Sequence, residues 1–173
     1  MTEPTEPTEP IRDARDEDAD AVAEIFAHYV RTTATTFETE PRPPDEWRAT
    51  WAALREQGWP VLVAEVDRRI VGFAYVGPWR TKPAYRHTVE TTVYLAQAAR
   101  GRGLGAKLAT QAHERAAAAG AREVIAVIAD SGDGASLALH RRLGFHEVGT
   151  LSGVGYKFGR WINVQLLQKS LRD

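Results

Sequence analysis

The chain has 173 residues, a net charge of −1, 43% hydrophobic and 26% charged residues, and no cysteine. That length suffices for one domain with a sizeable core, and the near-neutral charge gives no sign of a nucleic-acid surface or an acidic tail. Without thiols there are no disulfides, thiolate nucleophiles or cysteine-type zinc sites, which fits a cytosolic protein, and no apolar run approaches the ~18 residues of a membrane span.

Residues 1–10 read Met and then Thr-Glu-Pro three times. Proline at every third position among acidic and small polar residues cannot build a core, so the reading is a disordered leader before one domain over 11–173. Ile11 to Ala14 reads as a first strand. From Asp16 a helix is expected, because Val22, Ile25, Phe26, Tyr29 and Val30 recur at helical spacing and three acids sit in its first turn. A polar run from Thr32 to Glu40, holding Phe37, leaves that helix. Pro44 and Asp45 open a second helix, with Trp47, Trp51 and Leu54 on one stripe and Gly58 at its end.

Trp59 to Val66 and Arg69 to Val76 form a hairpin signal, which Gly77-Pro78 is expected to break. The loop from Trp79 to His87 is basic and aromatic and contains no acid. It is either a solvated loop or a lip that holds an anionic small molecule. Thr88 to Leu95 alternates as a strand, with Thr88, Glu90, Thr92 and Tyr94 on one face and Val89, Thr91, Val93 and Leu95 on the other. Glu90 either faces solvent or is a carboxylate held near a site for proton transfer, since an unpaired buried acid is costly.

Arg100-Gly101-Arg102-Gly103-Leu104-Gly105 follows this strand and opens a helix reaching Ala119. A glycine-rich turn entering a helix offers free backbone N–H groups and the positive end of the helix dipole, a phosphate site needing no particular side chain. Its glycine spacing fits neither the dinucleotide fingerprint nor the P-loop. Val124 to Ile128, apolar on both faces, reads as a central strand. Asp133 or Ser131 is placed to cap a helix from Ala135 to Leu143. Phe145 to Leu151 and Tyr156 to Gln168 are expected as the last strands, separated by Gly149, Gly153 and Gly155. His28, His113 and His146 lack the partner spacing of a metal site, and Trp47, Trp51 and Trp161 read as core or interface. The order β-α-α-β-β-β-α-β-α-β-β implies one α/β (α+β) mixed sheet with helices on both faces.

The R-x-x-G-x-G turn resembles the acyl-CoA loop of the GCN5-related N-acetyltransferase family. Asp133-Gly134-Ala135-Ser136, Leu139-His140 and Leu143-Gly144-Phe145 resemble that family's second signature. The runs Thr88 to Leu95, Lys82 to Tyr85, Thr36 to Pro41, Gly77 to Trp79 and Gly155 to Trp161 are similar to its phosphinothricin N-acetyltransferase branch. The resemblance spans roughly residues 10 to 168. It implies a splayed acetyl-CoA cleft, with backbone groups of Val93, Tyr94 and Leu95 on the pantetheine arm and Arg100, Gly101, Arg102, Gly103, Leu104 and Gly105 on the pyrophosphate. The helix from Ala135 to Leu143, carrying Ser136, would pass near the thioester, and Asp133 would stand at the family's pantetheine-carbonyl contact. Phe37, Arg80, Lys82 and Tyr85 would meet a compact amino acid of the phosphinothricin, methionine sulfoximine or methionine sulfone type. It also implies a cytoplasmic homodimer with no metal, nucleic-acid or membrane partner.

Two departures stand out. Asp133 replaces the family's usual Asn, so a carboxylate stands where an amide would donate. Arg86-His87 replaces an Asp-Trp-like pair, adding positive charge expected beside the pocket.

The chemistry needs a base, because an ammonium has no lone pair to attack a thioester. Glu90 is the candidate. The Leu95 N–H is a candidate oxyanion donor. His140, one helical turn from Ser136, is a candidate acid or base for the departing thiolate. With no cysteine, direct transfer is expected rather than an acyl-enzyme. Acetylation of a protein N-terminus or lysine, and acyl-CoA binding without catalysis, are the competing readings.

Overall fold

The computed structural model describes residues 10–172, whose strands form one seven-stranded sheet. The chain runs β1 (Ile11–Asp13), α1 (Ala19–Thr32), α2 (Pro44–Glu56), β2 (Val61–Val66), β3 (Arg69–Pro78), β4 (Thr88–Leu95), α3 (Leu104–Ala118), β5 (Glu123–Ala129), α4 (Ala135–Arg142), β6 (His146–Lys157) and β7 (Arg160–Ser170). This is the predicted order. Of the expected leader, residues 1–9 lie outside the described residues, and the Pro10 carbonyl accepts the Glu65 N–H at 2.6 Å.

Spatial order in the sheet is β1-β2-β3-β4-β5-β7-β6. Every pair is antiparallel except β4 with β5, whose parallel register needs a crossover, supplied by α3. The β3–β4 register sets Phe73, Tyr75, Glu90, Thr92 and Tyr94 on one face. Helices α1 and α2 cover that face. Phe26 meets Tyr94 edge-on at 5.2 Å, and Trp47 meets Phe73 at 5.3 Å. Trp47 and Trp51 are fully buried, as the helical stripe predicts. On the opposite face Leu62, Ala64 and Ala74 pack against Leu108 and Ala112 of α3. Each large apolar side chain buried this way contributes roughly 1.5–3 kcal/mol.

Three expectations need correction. First, β3 does not break at Gly77-Pro78 but runs to Pro78, opposite Val89. The β2 partner ends at Val61↔Tyr75, so beyond Tyr75 the strand has a free side where a proline loses no ladder bond. Second, Gly149, Gly153 and Gly155 lie inside β6, which absorbs extra residues as register shifts at Glu147/Gly149 and Leu151/Gly155. The turn comes later, at Phe158 and Gly159, whose φ values of 52° and 72° suit a tight two-residue hairpin. Third, the expectation of core or interface for Trp161 narrows, since at 72% exposed it is not core.

Candidate active site

β4 and β5 are hydrogen-bonded only at Thr88–Glu90 against Glu123–Ile125. Beyond Glu90, β4 stays with β3 to Leu95, while β5 stays with β7 to Ala129. The sheet therefore opens as a V with Glu90 at the notch. From Thr91 onward β4 has no strand on its β5 side, which leaves backbone groups for an extended ligand amide. The far end of β4 is anchored: the Tyr29 hydroxyl donates to the Leu95 carbonyl, and the Ala96 N–H donates to Val71 at 2.8 Å.

The turn after β4 takes its shape from glycine. Gly101 and Gly103 have φ of 79° and 78°, and Gly103 is the N-terminal cap of α3 with no side chain over the helix end. The Lys107 N–H, bonded to the Gly103 carbonyl at 3.1 Å, closes the first helical turn. The N–H groups ahead of it, from Leu104 to Ala106, begin the helix with no side-chain cap. A Cβ at Gly101 or Gly103 would meet nothing within 4 Å, so an open bowl lies over these amides. Gly105 is buried, and a Cβ there would make only ordinary contact, 3.5 Å from Leu95 and 3.6 Å from Leu139. It brings α3, β4 and α4 together. Arg100 and Arg102 are exposed at the rim.

The β5–α4 turn faces this rim. Gly134 is the N-terminal cap of α4; Asp133, just before it, accepts the Ala135 N–H at 3.0 Å, and its other oxygen lies 3.5 Å from Arg100. Only the Arg100 contact ties the two turns of the cleft mouth together; the Ala135 bond is local to the β5–α4 turn.

Glu90 is half-buried, and burial raises its carboxyl pKa; the nearby Arg80 charge partly offsets that. Tyr75 and Thr92 share its face, and burial likewise pushes the Tyr75 phenol up.

His140 is only 4% exposed and packs edge-on against Phe145 at 5.1 Å. Its Nδ1 lies 2.7 Å from the Ser136 carbonyl, which can only accept, so Nδ1 carries the proton. Desolvation lowers the pKa, although the Ser136 bond opposes it. A neutral ring protonated on Nδ1 offers an acceptor at Nε2. Its Nδ1 proton is held by the Ser136 carbonyl, which fixes the ring on α4.

The four expected substrate residues do not form one cluster. Arg80 acts on Glu90 through charge and lies over the Trp79 ring at 4.4 Å. Phe37 lies across the cleft against Gly155. Lys82 precedes and Tyr85 ends an exposed 3-10 turn (Pro83–Tyr85). His87, expected to add charge beside the pocket, instead donates from Nδ1 to the Gly120 carbonyl at 2.9 Å, at the α3–β5 turn. Two cavities open near the V. One, of about 660 Å³, is lined by Glu38, Glu40, Arg42, Glu46 and Tyr75 on the Glu90 face. The other, of about 190 Å³, lies at the mouth among Tyr29, Gln97, Arg100, Asp133 and Arg160. Among the described residues no group of three His, Asp or Glu side chains is placed to hold a metal ion.

Residues 22–145 match the family model described as the acetyltransferase (GNAT) family. The chain belongs to the GNAT family. The GNAT chain is 43% identical over 155 residues to a phosphinothricin N-acetyltransferase of Alcaligenes faecalis, covering 90% of this chain and 79% of that one. It is 38% identical to the L-methionine sulfoximine/L-methionine sulfone acetyltransferase of Pseudomonas paraeruginosa, covering 89% and 90%. Among solved structures it superposes with a TM-score of 0.90 and 36% identity on yncA of Salmonella typhimurium with its cofactor acetyl-CoA, covering 94% of each chain. It superposes at 0.89, with 38% identity, on a ribosomal-protein-alanine N-acetyltransferase of Brucella melitensis, covering 93% and 99%.

The residues present in this GNAT chain fit acetyl-CoA. Uncapped amides and two arginines stand at the α3 terminus for the pyrophosphate, and an unpaired β4 edge stands beside it for an extended amide chain. Sequence reasoning missed the groups that hold this frame. Tyr29 was counted only in an apolar stripe. Thr91 and the buried His113, 2.9 Å apart, were not connected, nor was Lys157 with the loop after α1. The one local signal was a lysine inside the Gly155-to-Trp161 run.

Proposed function

We propose that this GNAT chain, over residues 11–173, transfers acetyl from acetyl-CoA directly to the free amine of a compact amino acid of the phosphinothricin, methionine sulfoximine or methionine sulfone type. Bound acetyl-CoA supplies the activated acyl carbon. Arg100 to Gly105 and the backbone of Val93 to Leu95 hold and orient it. Glu90 takes the ammonium proton, directly or through water, and the Leu95 N–H donates to the acyl oxygen as charge develops there. As the C–N bond forms the C–S bond breaks, and CoA leaves as the thiolate, which takes up the proton lost from the new amide nitrogen. Arg80, with Lys82 and Tyr85, attracts the anionic head of the acceptor, and Phe37 walls its other side. His140 keeps an orienting role on α4 next to Ser136.

The single observation that supports this most is Glu90, a half-buried carboxylate at the notch where β4 parts from β5, held near a cation. A thiol-release assay over an amine panel tests it. Turnover is expected with the sulfoximine and phosphinothricin types, and its absence with every free amino acid would overturn the proposal. The Brucella relative favours one other reading, acetylation of a protein N-terminus, which predicts turnover only with peptides.

We further infer a cytoplasmic homodimer with no nucleic-acid or membrane partner. No helix among the described residues is long and apolar enough to cross a membrane. On the β6–β7 hairpin, Val148, Leu151, Val154, Tyr156, Phe158 and Trp161 are 46% to 72% exposed, a patch suited to a second copy. Light scattering of wild type and Trp161→Asp tests this. A monomeric wild type would reject it.

A further inference from the structure

Lys157, the last residue of β6, is 6% exposed. A buried ammonium needs a partner. Its Nζ donates to the carbonyl of Thr36 at 2.8 Å, 121 residues away in the chain. Two residues earlier on the same strand face, Gly155 is also buried. A Cβ there would lie 2.2 Å from the Phe37 ring. Glycine is required here by close approach and not by backbone angle. One strand therefore grips consecutive loop residues in two ways, a cation on the Thr36 carbonyl and an absent side chain beneath the Phe37 ring.

The loop itself is stiffened by its threonines. Thr33 donates to the Tyr29 carbonyl at 2.8 Å, and Thr36 Oγ1 accepts the Glu38 N–H at 3.2 Å. The Thr36 hydroxyl also lies beside the Tyr94 phenol of β4. Thr36 and Phe37 thus strap β4 to β6 across the open end of the V, whose two arms pair as strands only at Thr88–Glu90.

We propose that Lys157 and Gly155 are specificity-determining positioning residues, which clamp Phe37 as a rigid wall on the acceptor side and so restrict the acceptor to compact side chains. This rests on Phe37 being that wall.

The test compares Lys157→Met, Lys157→Gln, Gly155→Ala and Phe37→Ala in the full chain, after each is shown to unfold cooperatively. Gly155→Ala pushes against the far end of one ring and not against backbone, so folding is retained. Lys157→Met is expected to raise the acceptor KM about tenfold, near the lower bound for one charge-assisted hydrogen bond, and Gly155→Ala, which displaces the Phe37 ring, should raise it by a comparable factor. Discrimination against bulkier amino acids should relax, with acetyl-CoA KM unchanged. Lys157→Gln keeps a donor toward Thr36 and is expected to restore most of the wild-type preference. A structural role alone would lower stability and leave acceptor preference intact, and that result overturns the clamp. If Phe37→Ala changes acceptor preference while Gly155→Ala and Lys157→Met do not, the wall stands and the clamp fails. If Phe37→Ala also changes nothing, the wall itself is wrong.

Discussion

Replacing Glu90 by Gln keeps the shape of the side chain and removes both its charge and its ability to take a proton. A positioned base contributes about 10²–10⁴ in rate, or about 2.7–5.5 kcal/mol of barrier. Glu90 is half-buried in a strand, so the amide fits the same space, and the whole loss falls on kcat/KM with acetyl-CoA binding kept. Burial raises the Glu90 pKa. The active carboxylate therefore forms only above the ordinary range near 4.5, and the acidic limb of wild-type kcat/KM belongs to it. The Gln variant should lack that limb. Stability moves the other way. A carboxyl with a raised folded pKa contributes its full stability below the unfolded value and loses it as pH rises through the folded value. At neutral pH the Glu90 charge thus opposes folding, and Glu90→Gln should raise Tm while it abolishes most turnover. The gain should vanish below pH 4.5, where the carboxyl is protonated in both states. Steady-state release of CoA thiol across pH, with calorimetric Tm on the same samples, measures both. A variant with wild-type kcat/KM and an intact acidic limb would refute the base assignment. A lowered Tm at neutral pH would refute the burial argument.

Arg80 lowers the Glu90 pKa, so Arg80→Met should move the acidic limb of kcat/KM to higher pH, and salt should shrink the difference because Arg80 is exposed. Arg100→Ala and Arg102→Ala should each raise the acetyl-CoA KM about tenfold in direct binding and in turnover, leaving acceptor KM unchanged. Unchanged cofactor affinity in both would remove the rim arginines from the site. His113 is buried and neutral, its pKa pushed down to about 3 from an ordinary 6.5, chiefly by desolvation. A folded pKa below the unfolded one gives stability that is full above 6.5 and lost as pH falls toward 3, so Tm should drop over that interval. His113→Leu should flatten the drop while lowering Tm at neutral pH, since the Thr91 bond is lost. An equally steep acid drop in the variant would place its origin elsewhere.

What was legible in the sequence was encoded within a few residues. The alternation from Thr88 to Leu95 set Glu90 and Val93 on opposite faces, and the β3 register keeps them there. The glycines at 101 and 103 marked a turn before a helix, and the structure adds that both take left-handed φ angles. The glycines at 149, 153 and 155 misled, because glycine serves bulges and close contacts as readily as turns. At 155 the reason is a phenylalanine from another loop, which no pattern around residue 155 encodes. The V is of the same kind. Nothing in β4 or β5 alone says that their pairing stops at Glu90, since each strand remains well formed against its other neighbour. A cleft of this sort exists only if separate ties keep the arms apart yet fixed. Here the Tyr29–Leu95 bond holds one arm, the Arg100–Asp133 pair ties the mouth, and Lys157 on Thr36 joins the arms across the acceptor side. These ties span dozens of residues or more, so side-chain periodicity carries no trace of them. Candidates for the chemistry could be proposed from sequence because the residue types that proton transfer and phosphate binding need are dictated locally. The residues that hold the frame could not, because each is dictated by its distant partner.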